Sequence, residues 1–329
     1  MKKLLVVFLV ILMCLTIPVF SEGRRETGTQ KTETEQYPTK PIKLIVPYAA
    51  GGGTDTTARM IAQKLETVIG QPVVILNIGG AGGGLGMQEL LNAAPDGYTM
   101  GMDIINIWTR KALKTSNFGP EAFDLVAQCG TYYLVEAARA ASPYNTLKEV
   151  YDAAKKAPDT IQEATNIGAI THFTSLALMD ATGAKLRLVH IGDGAQRITA
   201  VLGAHVEMTI MGTHEVLPYY KGKEMKVLAV ASPERIPGLE NAPTTLEQGI
   251  DVVQPVDYWF FMTKGTPKER VDFIANALEK VMKDPEIVNK MTSTAMVPSF
   301  LKGTDFQKHV EEQGKKILAI AEKHNLGKQ

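Results

Sequence analysis

The sequence predicts an α/β protein built as two similar lobes, each a largely parallel sheet covered by helices on both faces. Three observations carry this. Short β-rich runs alternate with apolar stripes at helical spacing along most of the chain. A length of 329 residues suits two domains at roughly 100–200 residues each, both large enough to bury a core. Glycine-rich segments stand between a strand and the helix after it, where open α/β sheets receive ligands.

In order, Ile42–Val46 reads as a strand ended by Pro47. Thr54–Ile69 carries Ala58, Ile61, Ala62, Leu65, Val68 and Ile69 on one helical stripe, and Gly70 terminates it. Pro72–Leu76 is the next strand and Leu85–Ala94 the next helix, followed by a Pro95-Asp96-Gly97 turn. The rhythm then repeats with helices at 146–156 and 171–181, a strand at 186–191, a helix at 195–202, and strands at 206–211 and 226–231. Helices at 267–282, 285–293 and 305–324 close the chain. No tandem repeat of short period interrupts this order.

Composition narrows the function. The chain has 35 basic and 35 acidic residues, 45% hydrophobic residues and 7% aromatic residues. It is too apolar and too neutral for a disordered chain, and it lacks the basic excess and the stacking aromatics of a nucleic-acid binder. Lys2 and Lys3 precede the apolar run Leu4–Leu15, which is shorter than the about 20 residues of a membrane span. Pro18 breaks it, and a cleavage site follows near Ser21, so residues 1–21 read as a secretory signal and the mature protein as exported. Met13 before Cys14 is a poor lipobox, which argues against a lipoprotein. Cleavage removes Lys2, Lys3 and Cys14 and leaves a formal charge of −2. The remaining Cys129 has no partner for a disulfide and reads as a small buried hydrophobe. Residues 22–36 read as a flexible linker.

The informative segments are Pro47–Asp55, with Gly51, Gly52 and Gly53, and Asn77–Gly86, with six glycines. A helix N-terminus there offers unpaired N–H groups and partial positive charge, and glycine lets the backbone approach an anion. Tight turns alone would also use glycine. No Walker A loop is present, because Gly222-Lys223 is followed by Glu224 and Gly314-Lys315 by Lys316. The G-x-G-x-x-G fingerprint fails in each register. His214-Glu215 lacks the second histidine of a zinc-protease helix, since Pro218 stands there, and there is no G-x-S-x-G elbow. No catalytic residue, metal site or cofactor is therefore assigned. Asp55 in a first helical turn suits capping and loop bracing more than ligand contact. Trp108 and Trp259 suit the core.

From Tyr37 to the C-terminus the chain resembles the Bug-type substrate-binding proteins of tripartite tricarboxylate transporters. The resemblance lies in Tyr37-Pro38-Thr39-Lys40-Pro41-Ile42, Pro47-Tyr48 with Gly51-Gly52 and Asp55, and Asn77 with Gly80-Ala81-Gly82-Gly83. It continues through Pro95–Thr99, Gly168 with His172, Gly194-Ala195, Pro218-Tyr219, Pro243-Thr244 and Gly265-Thr266-Pro267. Each motif is soft alone; their order is the signal.

The resemblance implies a type II periplasmic binding fold, with two α/β lobes joined by two crossing strands and a ligand cleft between them. The crossings would lie near Tyr132–Ala138 and Tyr258–Thr263, with residues 37–135 and 258–329 in lobe one and 136–257 in lobe two. It implies a small carboxylate ligand held by loop amides and ordered water, and membrane transporter subunits as partners. A monomer is the expected state. Carried over by position, lobe one would contact the ligand through Tyr48, Gly51, Gly52, Asp55, Ala81 and Gly82. Lobe two would do so through Gly168, Ala169, Thr171 and His172, at a helix N-terminus, with Asp193 and Gly194. Three departures stand out. Ala169 replaces a hydroxyl residue. Ile191-Gly192-Asp193-Gly194 loses a phenol and a positive charge and gains a negative one. Asp103 stands in a stretch usually small and hydroxyl-rich. Asp103 and Asp193 would repel a plain tricarboxylate, so an amine- or hydroxyl-bearing or aromatic acid is expected. The alternatives left open are a sensor feeding a membrane kinase and a Rossmann-like enzyme acting on a phosphorylated ligand.

Overall fold

The described residues form ten strands, and one of them, β4, belongs to both halves of the sheet system. The computed structural model describes residues 36–328. The export signal read at 1–21, its Ser21 cleavage site and the linker up to residue 35 lie outside the described residues.

Lobe one opens with β1 (Ile42–Val46), α1 (Gly53–Ile69), β2 (Val73–Asn77), α2 (Gly84–Asn92), β3 (Thr99–Asp103) and α3 (Asn106–Ala112). β1 pairs in parallel with β2 on one side and β3 on the other. α1 buries Ala58, Ile61, Ala62 and Leu65, the stripe expected from its spacing. Gly70 ends it in the left-handed conformation, with its N–H on the Glu66 carbonyl.

β4 (Phe123–Arg139) leads into lobe two: α4 (Leu147–Lys156), β5 (Gln162–Thr165), α5 (Ile170–Thr182), β6 (Arg187–His190), α6 (Gly194–Leu202), β7 (Met208–Gly212), α7 (Thr213–Lys221) and β8 (Met225–Val230). Thr146 and Glu149 cap α4 reciprocally, each side chain on the other's backbone N–H. The chain returns as β9 (Pro255–Thr263), α8 (Lys268–Met282), α9 (Pro285–Ser293), β10 (Val297–Lys302) and α10 (Gly303–Lys323).

In lobe one the strand order is β2-β1-β3-β9-β4-β10, and in lobe two it is β8-β4-β7-β5-β6. The expected parallel pairing holds for the outer strands, β1 with β2 and β3, and β5 with β6 and β7. It does not hold at the centre, where every pairing of β4 and β9 is antiparallel. The reason is connectivity: one strand leaves lobe one and another returns to it, so the two must run in opposite directions.

β4 is buried almost continuously, not on alternate residues, as a strand covered on both faces should be. Its partner changes from Pro255 at Tyr133 to Gly212 at Leu134. The return passage is at Gln254, whose N–H bonds the Ala231 carbonyl at 2.8 Å. Gly130 takes φ +82° inside a register shift against β9, and a Cβ there would come within 2.9 Å of Met291. Cys129 and Trp259 are fully buried in the core, and burial pushes the Cys129 thiol up. Trp108 donates its indole N–H to the Val310 carbonyl at 3.0 Å, tying α3 to α10. No helix among the described residues is long and apolar enough to cross a membrane.

Candidate functional site

Five loops meet where β1, β3, β5, β6 and β7 end, each leading into a helix. This is the carboxyl edge of both sheets, the place such sheets use for ligands. A cleft of about 230 Å³ lies between them. Tyr132 and Leu134 of the crossing strand are part of its lining.

The lobe-one wall is a closed polar network. Asp103, at the end of β3, is fully buried and ion-paired with Arg110 of α3. Its carboxylate also accepts the Tyr48 hydroxyl at 2.7 Å and the Ile104 N–H at 2.8 Å. Arg110 reaches on to the Gly82 carbonyl at 2.7 Å, so one ion pair fastens both glycine loops to β3. Burial, and then the neighbouring Asp103, push the Tyr48 phenol well up, so it stays a hydroxyl donor. Asp55 accepts from the Gly51 N–H at 2.8 Å and from Asn77 and Arg59 at 2.9 Å each. Burial acts to raise its pKa, and the hydrogen bonds from Arg59, Gly51 and Asn77 outweigh that and hold it low. Gly86 permits close packing of the two loops, since a Cβ there would sit 2.8 Å from Pro47 of the first loop.

The lobe-two wall is built from helix starts. Asp193 caps α6, accepting the Gln196 N–H at 2.8 Å. Arg197, one turn along α6, folds back to donate to the Gly192 carbonyl at 2.9 Å. Glu215 caps its own helix, α7, by accepting the Gly212 N–H at 2.8 Å. His214 packs edge-on against Tyr132, and burial lowers its pKa against the pull of Glu215, which favours the neutral ring. The two walls touch at two points. Asn106 of α3 accepts the Ile170 N–H of α5 at 2.9 Å. Gly53 faces His214 so closely that a Cβ would fall 2.3 Å from Nε2.

Of the residues named from the sequence, the structure brings Tyr48, Ala169, Thr171, Asp193 and Gly194 to the cleft. Gly51 and Gly52 lie on the same loop, but Gly53 and Thr54 line the space. Ala81 and Gly82 are exposed and do not line the cleft, and Arg110 holds the Gly82 carbonyl. Gly168 and His172 close on each other, the Gly168 N–H donating to the His172 ring at 3.3 Å. Asp103 does not carry a free charge to the cleft, because Arg110 neutralises it, so the repulsion expected from it is absent. The positive charge read as lost near Asp193 is restored by Arg197.

Sequence reading missed Asn106, Tyr132, Asn166, Arg197, His214 and Glu215, all of which line the cleft. One signal existed: Arg197 falls with Ile198, Ala200 and Val201 on the buried face of α6, where an arginine needs a reason. A larger cavity of about 660 Å³ lies near Trp108, Lys264, Lys268 and Glu311, and no glycine loop reaches it.

A family model described as the tripartite tricarboxylate transporter family receptor matches residues 57–326. A "UPF0065 protein in the TAR-I ttuE-ttuC' intergenic region" of Agrobacterium vitis is 30% identical over 268 residues, covering 80% of this chain and 78% of that protein. The structure of periplasmic binding protein BugD is similar at a TM-score of 0.79 and 29% identity, covering 89% of this chain and 100% of BugD. A TctC solute binding protein from Polaromonas is similar at a TM-score of 0.74 and 28% identity, covering 87% of this chain and 99% of that one. The architecture is thus that of the two-lobed periplasmic binding proteins.

Proposed function

The chain belongs to the tripartite tricarboxylate transporter receptor family, and from that premise we propose that it is a periplasmic solute receptor that captures a small carboxylate between its lobes and delivers it to the membrane subunits of a tripartite transporter. The observation that carries this is a cleft assembled from both lobes at the strand ends, walled by a rigid network on one side and helix starts on the other. The residues 37–135 with 258–329, and 136–257, are the two bodies that would open and close about β4 and Gln254. A ligand carboxylate would meet the N-terminal turn of α5, where Ile170 already donates to Asn106 and the following amides point the same way. The cleft is smaller than the roughly 300–1,000 Å³ of drug-sized sites, which suits a small acid. The protein acts as a monomer and performs no chemistry on its ligand.

The test is thermal unfolding of the purified protein against di- and tricarboxylates, amino acids, aromatic acids and nucleotides, with light scattering for its mass. A carboxylate at 100 times its Kd should add about 2.7 kcal/mol, raising Tm by several degrees. Stabilisation by nucleotides alone would overturn the receptor reading in favour of an enzyme on a phosphorylated ligand.

A further inference from the structure

The lobe-two wall carries charge that the fold leaves unspent. Arg197 is 5% exposed, and its Nε has no partner among the described residues. Among the described residues no salt bridge joins it to Asp193 or Glu215, although both act on it electrostatically. Asp193 is committed to capping α6. Glu215 has one oxygen on the Gly212 N–H; among the described residues the other takes no hydrogen bond. That second oxygen lies against the start of α6, where a Cβ on Gly194 would sit 2.0 Å from it. It therefore occupies the place at the α6 N-terminus that an anionic ligand group would otherwise take.

Counting charges sharpens this. On the lobe-two wall two carboxylates face one guanidinium. On the lobe-one wall Asp103 cancels against Arg110 and Asp55 against Arg59. The cleft thus holds a net negative charge, in a site that the receptor reading fills with an acid. A ligand carrying only carboxylates would bring like charge to Glu215 in a partly desolvated space.

We infer, on the footing of the receptor reading, that the ligand is an acid bearing a protonated amine, with the ammonium group read by Glu215 and the carboxylate held at the α5 start. An ammonium donates to the unused Glu215 oxygen, a charge-assisted bond that an uncharged or anionic ligand cannot make. Glu215 is then the specificity-determining residue, and Gly194 is required to be glycine so that the carboxylate can stand over the α6 start.

The experiment is calorimetric titration of wild type and Glu215→Gln with matched pairs differing only in the amine: L-aspartate and succinate, L-glutamate and glutarate, L-phenylalanine and 3-phenylpropionate. Glutamine keeps the oxygen that caps α7, so the variant should fold, which unfolding of the unliganded protein checks. In at least one pair the wild type should bind the amine-bearing member at least about tenfold tighter, and the variant should lose that preference while still binding acids. Equal or tighter wild-type binding of the amine-free members would overturn the inference and leave the receptor reading standing. A preference for the amine that survives in Glu215→Gln would overturn the role of Glu215. If no acid binds, with or without an amine, the receptor reading falls and the inference with it.

Discussion

The two lobes bury charge in opposite ways. In lobe one, Asp103 and Asp55 are each held by a guanidinium, by side-chain donors and by a backbone N–H. In lobe two, Glu136 of β4 and Glu163 of β5 are almost wholly buried. Among the described residues Glu136 has no hydrogen-bond partner, and Glu163 has one, the Ser175 hydroxyl. The Tyr151 hydroxyl and Arg197 Nε are also unpartnered. Both carboxylates stand on one face of the sheet, since Glu136 pairs with Ile210 and Glu163 with Met208, two residues apart on β7. The difference teaches that a buried carboxylate can serve as a fastener only when ionised and paired. Where pairing is absent, burial instead drives it to hold its proton.

The largest break of this contrast is Asp103→Asn. It leaves Arg110 buried beside a neutral amide, and both glycine loops lose their common anchor. Removing one partner of a buried pair costs about 3–5 kcal/mol. Urea unfolding should show that loss, and Asp103→Asn with Arg110→Met should recover much of it. A cost below about 1 kcal/mol would mean that the loops are held by their own backbone turns.

The next test concerns pH. Burial raises Glu163 to about 7 from 4.5, and raises Glu136 well above 4.5 with Glu163 adding to it. From pH 4.5 up to about 7 the folded chain therefore holds protons that the unfolded chain has released, and these groups make stability fall as pH rises. Asp55 works the other way: its lowered pKa contributes stability above its unfolded value of 3.8, lost as pH falls below it. Glu163→Gln keeps an acceptor for Ser175 and removes the need to hold a proton. It should add on the order of 2–3 kcal/mol at pH 8 and nothing at pH 4, by urea unfolding across that range. A destabilised variant at pH 8 would show that Glu163 is ionised and compensated there, and the contrast between the lobes would fail.

How much of this was legible in the sequence follows from range. β1, α1 and α9 are read to within a residue because their signals are local: a β-branched run, an apolar stripe, a proline at a helix start. The second half of β4 is anticipated only through the family resemblance and its first half not at all, because a strand buried on both faces shows no alternation. α7 was missed because Pro218 stands inside it. The glycine loops were legible as a site since their chemistry is contiguous. Arg110, whose pairing removes the Asp103 charge, lies in α3, which carries no strong periodic signal. Glu215 was noticed only as half of a failed zinc motif; its place over Gly194 exists only once β6 and β7 lie in one sheet.

The smallest expected effect lies where the lobes meet outside the cleft. Asp180 of α5 accepts from Lys323 at 2.9 Å and His324 at 3.0 Å, at the far end of the helix that Trp108 fastens to lobe one. Burial acts to raise the Asp180 pKa, and the bonds from Lys323 and His324 prevail and lower it. Its contribution is therefore present above its unfolded value of 3.8 and lost as pH falls through the lowered folded value. The side chains are partly solvated, so Asp180→Asn should cost only about 0.2–1 kcal/mol at pH 7, diminished by salt and vanishing at low pH. Urea unfolding at low and high salt measures this directly. If variant and wild type unfold alike at pH 7 and low salt, the ion pair holds nothing, and the lobes are coupled outside the cleft by packing of α10, by the two crossings at β4 and Gln254, and by the Thr213 hydroxyl on the Ala295 carbonyl. If the cost exceeds that range, lobe two owes part of its position to this latch, and the open charge of its cleft wall is set from behind as well as from within.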